Sequence, residues 1–358
     1  LNSAKEQLLN IVEYTRGLDV FVAVGLPLCK DGKLYNVACM VQNGEILGIV
    51  PKLNIPNYSE FYEARHFSSG NISPESIKIN EKEVPFGTNI LFQCKNLPSL
   101  TIGVEICEDL WVPNPPSIGH ALAGANLILN LSASDETTGK DRYRSELVKN
   151  QSARLVSGYI YADAGDGEST SDLVFAGHNL IAENGIILSE SKPFENQFIS
   201  TEIDLQRIIN ERRRMSTFIP NGHQEHVIVA FQYNKIQELP EIPLSRYIPN
   251  APFVPSVKED RDKRCEEISN IQAYGLKKRL EHTGAKCAVI GLSGGLDSTL
   301  ALLITCKAFD LLGLDRKGIL SVTMPCFGTT DRTYQNAISL AKHLGTTLKE
   351  IPIRESVS

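Results

Sequence analysis

Leu100-Thr101-Ile102-Gly103-Val104-Glu105-Ile106-Cys107-Glu108-Asp109-Leu110-Trp111 is the stretch on which the fold reading turns. Leu100 to Ile106 is a short, mainly apolar run, which predicts a buried strand. It runs straight into Cys107 and the acidic pair Glu108-Asp109, so a strand delivers a nucleophile into a sharp change of direction. A thiol becomes reactive as thiolate, and a nearby ammonium favours that form. Lys52 closes another apolar run, in Val50-Pro51-Lys52-Leu53. Residue types alone leave a buried structural Cys and an ordinary surface Lys open.

Working outward, residues 5–16 predict an amphipathic helix, and Asp19 to Val24 a buried strand bounded by Gly25-Leu26-Pro27. Tyr35–Gln42 and Glu45–Val50 flank Asn43-Gly44, a strong hairpin signal. Residues 118–125 and 141–157 predict helices; 126–131, 159–161 and 227–229 predict strands. A second hairpin over 173–190 turns at Glu183-Asn184-Gly185. Two hairpins interleaved with helices predict a sheet sandwich with helices outside. A segment with Pro240, Pro243, Pro249, Pro252 and Pro255 reads as a linker. Beyond it, strands at 286–292 and 318–324 alternate with helices at 266–281, 298–311 and 332–344, which predicts βαβ units and a parallel sheet with room for only two strands.

The chain has 358 residues, enough for two domains at roughly 150 residues each. Its net charge of −6 argues against non-specific nucleic-acid binding and against an anionic membrane surface. No apolar run reaches the roughly 18 residues of a membrane span. The eight cysteines are dispersed without a CxxC pair, which argues against zinc ribbons and fits a reducing cytoplasm. His223 and His226 read as part of a solvated loop rather than a metal site. Arg207 and Arg212-Arg213-Arg214 read as a solvated helix face or a subunit contact.

Pro51-Lys52, Pro56-Asn57-Tyr58-Ser59-Glu60-Phe61-Tyr62-Glu63 and Cys107-Glu108-Asp109-Leu110-Trp111 resemble the nitrilase-type glutaminase domain of glutamine-dependent NAD synthetases. The resemblance implies an α-β-β-α sandwich and a Cys-Lys-Glu triad. Cys107 would attack the glutamine amide to form a thioester, and Lys52 would stabilise the oxyanion. Glu63 resembles the family's supporting glutamate, and Tyr58, Ser134 and Lys140 match positions that hold glutamine. The triad's own glutamate would belong to a segment before Leu1. Glu6 and Glu13 are poor substitutes, so the chain as it stands is expected to lose a factor of about 10²–10⁴ in proton transfer. Gly165-Asp166-Gly167-Glu168-Ser169-Thr170 resembles a motif near the family's active face, and by residue type reads as a Gly-rich turn.

Ser293-Gly294-Gly295-Leu296-Asp297-Ser298 lies between a strand and a helix. Glycines let backbone approach an anion, and a helix N-terminus supplies free N–H groups. The negative Asp297 suits a metal or a positioning hydrogen bond. The motif resembles ATP pyrophosphatases, which cleave ATP between the α and β phosphates. Thr323-Met324-Pro325-Cys326-Phe327-Gly328-Thr329-Thr330, with Thr333 and Asn336, resembles the second strand of NAD synthetases and implies Met324 beside adenine.

Together these resemblances imply an α/β chain in three parts: a nitrilase-like glutaminase domain at 1–235 lacking its first strands, a Pro-rich linker at 236–262, and the first part of a Rossmann-like, parallel-sheet ATP-pyrophosphatase domain at 263–358. They further imply glutamine, deamido-NAD and ATP as substrates, Mg2+ as cofactor (at Asp297), and a cytoplasmic homo-oligomer. Another glutamine-dependent amidotransferase of the ATP-pyrophosphatase group, or a catalytically incomplete fragment, stays open at this point.

Overall fold

Every second residue of a strand faces the same side, and Lys33–Gln42 (β2) uses both sides. Val37, Cys39 and Val41 pack toward an outer helix, while Ala38 and Met40 pack toward a second sheet. A strand buried on both faces sits inside a layered structure. The computed structural model describes residues 1–168, 172–221, 225–235, 246–326 and 330–353. By its internal contacts the chain divides into two units, Leu1–Tyr247 and Ile248–Ser358.

In the first unit, Asn2–Tyr14 (α1) lays Leu8 and Val12 on a five-stranded sheet. That sheet contains Phe21–Lys30 (β1), β2, Glu45–Pro51 (β3), Glu75–Ile79 (β4) and Lys82–Phe86 (β5), in the order β1-β2-β3-β5-β4. Asn43 and Gly44 carry φ of 46° and 80°, so the expected hairpin turn joins β2 to β3. The first strand differs from its expected form. It is half-buried over 21–24 and continues through Gly25-Leu26-Pro27 to Lys30. Proline is tolerated there because β1 is the sheet's edge. The sequence reading missed β4 and β5, five residues each and interrupted by charged side chains, which leaves little hydrophobic signal.

The second sheet has seven strands. It comprises Ile90–Cys94 (β6), Thr101–Ile106 (β7), Leu127–Ser132 (β8), Gly158–Asp163 (β9), Leu180–Glu183 (β10), Ile186–Glu190 (β11) and Val227–Phe231 (β12), in the order β11-β10-β9-β8-β7-β6-β12. The sequence reading also missed β6, and the second hairpin is shorter than expected, pairing only 180–183 with 186–190. Pro116–Leu122 (α2) and Lys140–Leu155 (α3) cover its outer face, packing Ala121, Val148 and Leu155 in one cluster with Tyr159 of β9. Phe92, Ile102, Val104 and Ile106 fill the space between the sheets. The α-β-β-α sandwich expected from the sequence is therefore present.

Two surface readings need correction. Arg212, on Leu205–Arg214 (α4), is not on a solvated face. It donates to the carbonyls of Ala125, Leu155 and Val156 at 2.7–2.9 Å, closing the end of α3, and burial pulls its pKa down to about 10. Arg207 pairs with Glu183 at 3.5 Å. His226 is not solvated either: its Nε2 lies 3.1 Å from Nδ1 of the buried His120. His223 lies outside the described residues.

In the second unit, Lys258–Thr283 (α5) begins well before Glu266, the expected start. Ala288–Gly291 (β13), Leu296–Leu312 (α6), Ile319–Thr323 (β14), Asp331–Leu344 (α7) and Thr347–Glu350 (β15) follow. The parallel sheet β13-β14-β15 has three strands, not two. The third is short and mostly exposed, so it gave little hydrophobic signal. Leu302, Phe309, Ile319 and Ala337 form the core of this unit. Among the described residues, no helix is long and apolar enough to cross a membrane.

Phe92 is fully buried between the two sheets of the first unit. A Cβ at Gly48 would come within 2.9 Å of its ring, so the fit is close. Phe92→Ala is expected to cost about 3–5 kcal/mol in denaturant unfolding. A cost under about 1 kcal/mol would contradict this packing.

Candidate active site

The ends of β3 and β7, one from each sheet, carry Lys52 and Cys107 to the same place. Lys52 follows β3, is 2% exposed, and is fixed by backbone bonds to Asn36 and Gly70. Its Nζ lies 2.5 Å from Oε2 of Glu63, which stands on a short helical turn at Glu63–Arg65. The other Glu63 oxygen accepts from the Asn36 amide at 2.9 Å. Cys107 has φ of 48°, in the left-handed region that non-glycine residues rarely occupy. That turn takes its side chain out of the β7 alternation and into a cavity. The cavity, about 700 Å³, is lined by Lys52, Glu63, Cys107, Ala133, Asp163 and Glu168, among others.

Cys107 is held from several sides. Its N–H donates to Oδ1 of Asn130 at 3.0 Å, and the Ala133 N–H donates to its sulfur. Burial pushes its thiol above the usual value, while the Lys52 charge and the Ala133 N–H oppose that rise and Glu63 and Asp163 add to it. Asn130 also accepts from Ser132 at 2.8 Å and donates to the Tyr159 hydroxyl at 3.0 Å. Tyr159 in turn donates to Glu105, whose other oxygen accepts the Ser117 N–H at 2.8 Å. Burial pushes the Glu105 carboxyl up to about 7, against the hydrogen bond from Tyr159.

An adjoining cleft of about 380 Å³ also opens on Cys107, and its walls include Tyr58, Glu108, Trp111, Ser134 and Lys140. The Tyr58 hydroxyl donates to Glu108 at 2.8 Å; partial burial and that carboxylate raise its pKa to about 12. The Lys140 ammonium pairs with Asp135 and lies 5.6 and 5.5 Å from the Phe61 and Trp111 ring centres. Thus Cys107, Lys52 and Glu63 line one cavity, and Tyr58, Ser134 and Lys140 the cleft beside it. Sequence reasoning missed Asn130, Glu108, Asp109 and Asp163. Asn130 had a signal, as an amide inside the apolar strand Leu127–Ser132. Glu6 and Glu13 lie on the outer helix, exposed, and Glu13 pairs with Arg16 at 2.7 Å. Of the Gly-rich segment after β9, Asp166-Gly167 forms a turn, Glu168 lines the cavity, and 169–171 lie outside the described residues.

In the second unit, the Ser293 and Ser298 hydroxyls are 3.1 Å apart at the N-terminus of α6. The Gly295 N–H donates to Ser293 Oγ at 3.3 Å. Gly294 has φ of 79°, and a Cβ there would meet the Thr333 carbonyl at 2.0 Å, so glycine is required. Leu296 and Asp297 are exposed, and the Met324 methyl group lies beside Gly291. Phe327-Gly328-Thr329 lie outside the described residues. Among the described residues, no three His, Cys, Asp or Glu side chains gather as a metal-binding set.

A half-buried cysteine at a strained strand end thus lines one cavity with a lysine–glutamate pair, within an α-β-β-α sandwich. The chain belongs to the carbon-nitrogen hydrolase family, which residues 3–213 match. Residues 268–358 match NAD synthase. The chain is 40% identical to a glutamine-dependent NAD(+) synthetase of Mycobacterium tuberculosis over 99% of its length and 53% of that protein's. It is 38% identical to the corresponding protein of Mycobacterium leprae, over 100% and 54%. A solved glutamine-dependent NAD(+) synthetase from Cytophaga hutchinsonii aligns with a TM-score of 0.48 at 22% identity, covering 99% of this chain and 55% of that one. The chain spans about half the length of the curated relatives it matches.

The electrostatics give opposite signs for two substitutions. Removing the Lys52 charge raises the Cys107 pKa, and removing the Glu63 charge lowers it. Lys52→Met is therefore expected to slow Cys107 alkylation at fixed neutral pH, and Glu63→Gln to speed it, each by about 3–10-fold, since one pKa unit is tenfold in thiolate. Changes of the same sign would contradict the arrangement.

Glu105 gives a pH test. It keeps its proton in the folded state up to about 7, above its ordinary 4.5, so its contribution to stability is lost as pH rises from 4.5 through 7. Glu105→Gln is expected to flatten that decline in melting experiments across this window. An unchanged slope would contradict it.

Proposed function

We propose that the first unit is a glutaminase and that the chain acts in glutamine-dependent NAD synthesis. The observation that carries this is the Lys52–Glu63 pair set in the same cavity as Cys107. Cys107 Sγ attacks the side-chain amide carbon of glutamine, ammonia leaves, and water releases glutamate from the thioester. The Lys52 ammonium faces the developing oxyanion, where fixed charge in a dry site is most effective. Glu63 holds Lys52 in place. Tyr58, Ser134 and Lys140 are the proposed holders of glutamine.

The proposed domains are a glutaminase at 1–235, a linker at 236–262 and an ATP-pyrophosphatase portion at 263–358. In the last, Ser293, Gly294, Gly295, Leu296, Asp297 and Ser298 would hold ATP phosphates at the α6 N-terminus, with Met324 beside adenine. Mg2+ would arrive as a phosphate-carried ion with Asp297 as one carboxylate, since among the described residues no three His, Cys, Asp or Glu side chains gather to cage it. ATP would adenylate the deamido-NAD carboxylate with release of pyrophosphate, and ammonia would displace AMP to give NAD. Cytoplasmic location and homo-oligomeric assembly go with this reading and rest on the family resemblance.

With glutamine, the chain is expected to form glutamate at a rate that Cys107→Ala reduces to background; equal rates in both would contradict the glutaminase. ATP binding, followed by calorimetry, is expected to disappear in Gly294→Val; retained binding would remove the loop from the site. If deamido-NAD with glutamine and ATP yields no AMP while another carboxylate acceptor does, the amidotransferase is of another kind.

A further inference from the structure

Lys140 opens α3, and Arg144 follows one turn later on the same helix. Arg144 is 0% exposed, an uncommon place for a guanidinium. Its Nη2 donates to the Ser134 hydroxyl oxygen and to the Asp135 carbonyl, both at 3.3 Å. Its Nη1 donates to Glu136 at 2.9 Å and to Nδ1 of His178 at 3.0 Å. An arginine has no lone pair to offer, so His178 Nδ1 is the acceptor and its Nε2–H donates to Glu190 at 2.9 Å. One buried cation therefore grips three consecutive residues, 134 to 136. From the other side, Asp163 at the end of β9 accepts the Ser134 N–H at 2.9 Å. Burial works against the Arg144 charge, but its acidic neighbours Asp163 and Glu136 favour it, and the balance raises the guanidinium pKa.

Two consequences reach the cleft beside Cys107. The Ser134 oxygen accepts from Arg144, so the Ser134 hydroxyl hydrogen is left to donate. The Asp135 side chain pairs with Lys140, and its backbone carbonyl is pinned by Arg144. Loop and helix thus form a closed ring: Lys140 to Asp135, Asp135 to Arg144, and Arg144 back along one helical turn to Lys140. The ring presents a hydroxyl donor and an ammonium to the same cleft. Two donors suit an anion.

We propose that Arg144 and Asp163 are positioning residues that set Ser134 and Lys140 as the receptor for the α-carboxylate of glutamine. The inference rests on the glutaminase reading and deepens it. Stability alone does not call for the charge, because apolar side chains of similar volume often replace buried ion pairs at no cost.

The test is binding to the Cys107→Ala chain, where glutamine is not consumed. The probes are glutamine and 4-aminobutanamide, which is glutamine without its carboxylate. The chain is expected to prefer glutamine. Arg144→Lys and Asp163→Asn are each expected to shrink that preference by at least about tenfold, the scale of one charge-assisted hydrogen bond. They should do so by weakening glutamine and not the analogue. Asp163→Asn keeps the shape of the side chain and carries the test alone if Arg144→Lys does not fold. A preference unchanged in the variants, including one in which both probes weaken together, overturns the inference and leaves the glutaminase reading intact. A Cys107→Ala chain that binds no glutamine overturns both.

Discussion

The site depends on one buried carboxylate. Asp109, 2% exposed, accepts the Ile106 N–H at 3.0 Å from its own strand end. It also accepts the backbone and side-chain N–H groups of Asn54, both at 2.8 Å. Ile106 ends β7 of one sheet, and Asn54 follows β3 of the other. Asp109 therefore fastens the two sheets together where each delivers a reactive side chain, and the placement of Lys52 and Cys107 follows from it. Burial pushes the Asp109 carboxyl up, and the Asn54 and Ile106 N–H groups and the Lys52 charge oppose the rise. A buried acid in this position is costly unless its hydrogen bonds are made, and here they are.

The Lys52 charge does not stand alone in the cavity. Lys52 is matched by Glu63, so it does not leave Cys107 as a free thiolate; burial keeps the thiol protonated. A thiol held protonated becomes nucleophilic only as its proton leaves. The positive φ of Cys107 adds a second device, since it turns the sulfur away from the β7 pleat. Strain of this kind persists where surrounding hydrogen bonds enforce it, and Asn130 and Ala133 supply them.

Much of this was legible in the sequence, for physical reasons. Strands with strong apolar patterns, such as Tyr35–Gln42 and Leu100–Ile106, were readable because both faces or one full face are buried. The loop before α6 was readable because few sequences place two glycines between serines at a strand–helix junction. Strands β4 and β5 were not: β4 is a mostly exposed edge strand, and β5, though internal, is five residues long with charged Lys82-Glu83 and Pro85 interrupting its pattern. β1 was read too short because proline normally ends a strand, and only its place at the sheet edge lets Pro27 stay. In the site, the resemblance suggested Cys107, Lys52 and Glu63, and the structure sets them around one cavity. Of the supporting polar groups, only Asn130, an amide inside an apolar strand, carried a signal. Asn130 reaches Cys107 and Tyr159, Asp163 reaches Ser134, and Arg144 reaches back eight to ten residues to 134–136 and on to His178, and no local spacing announces such partners.

The most direct test of the account is covalent labelling with a glutamine analogue that carries a diazoketone in place of the amide. The reagent needs both a nucleophile at the amide position and a pocket that accepts the amino-acid end. Peptide mapping should find one label, on Cys107, and excess glutamine should prevent it. Labelling spread over the exposed cysteines, or labelling of Cys107 that glutamine does not suppress, would contradict a glutamine site at the end of β7.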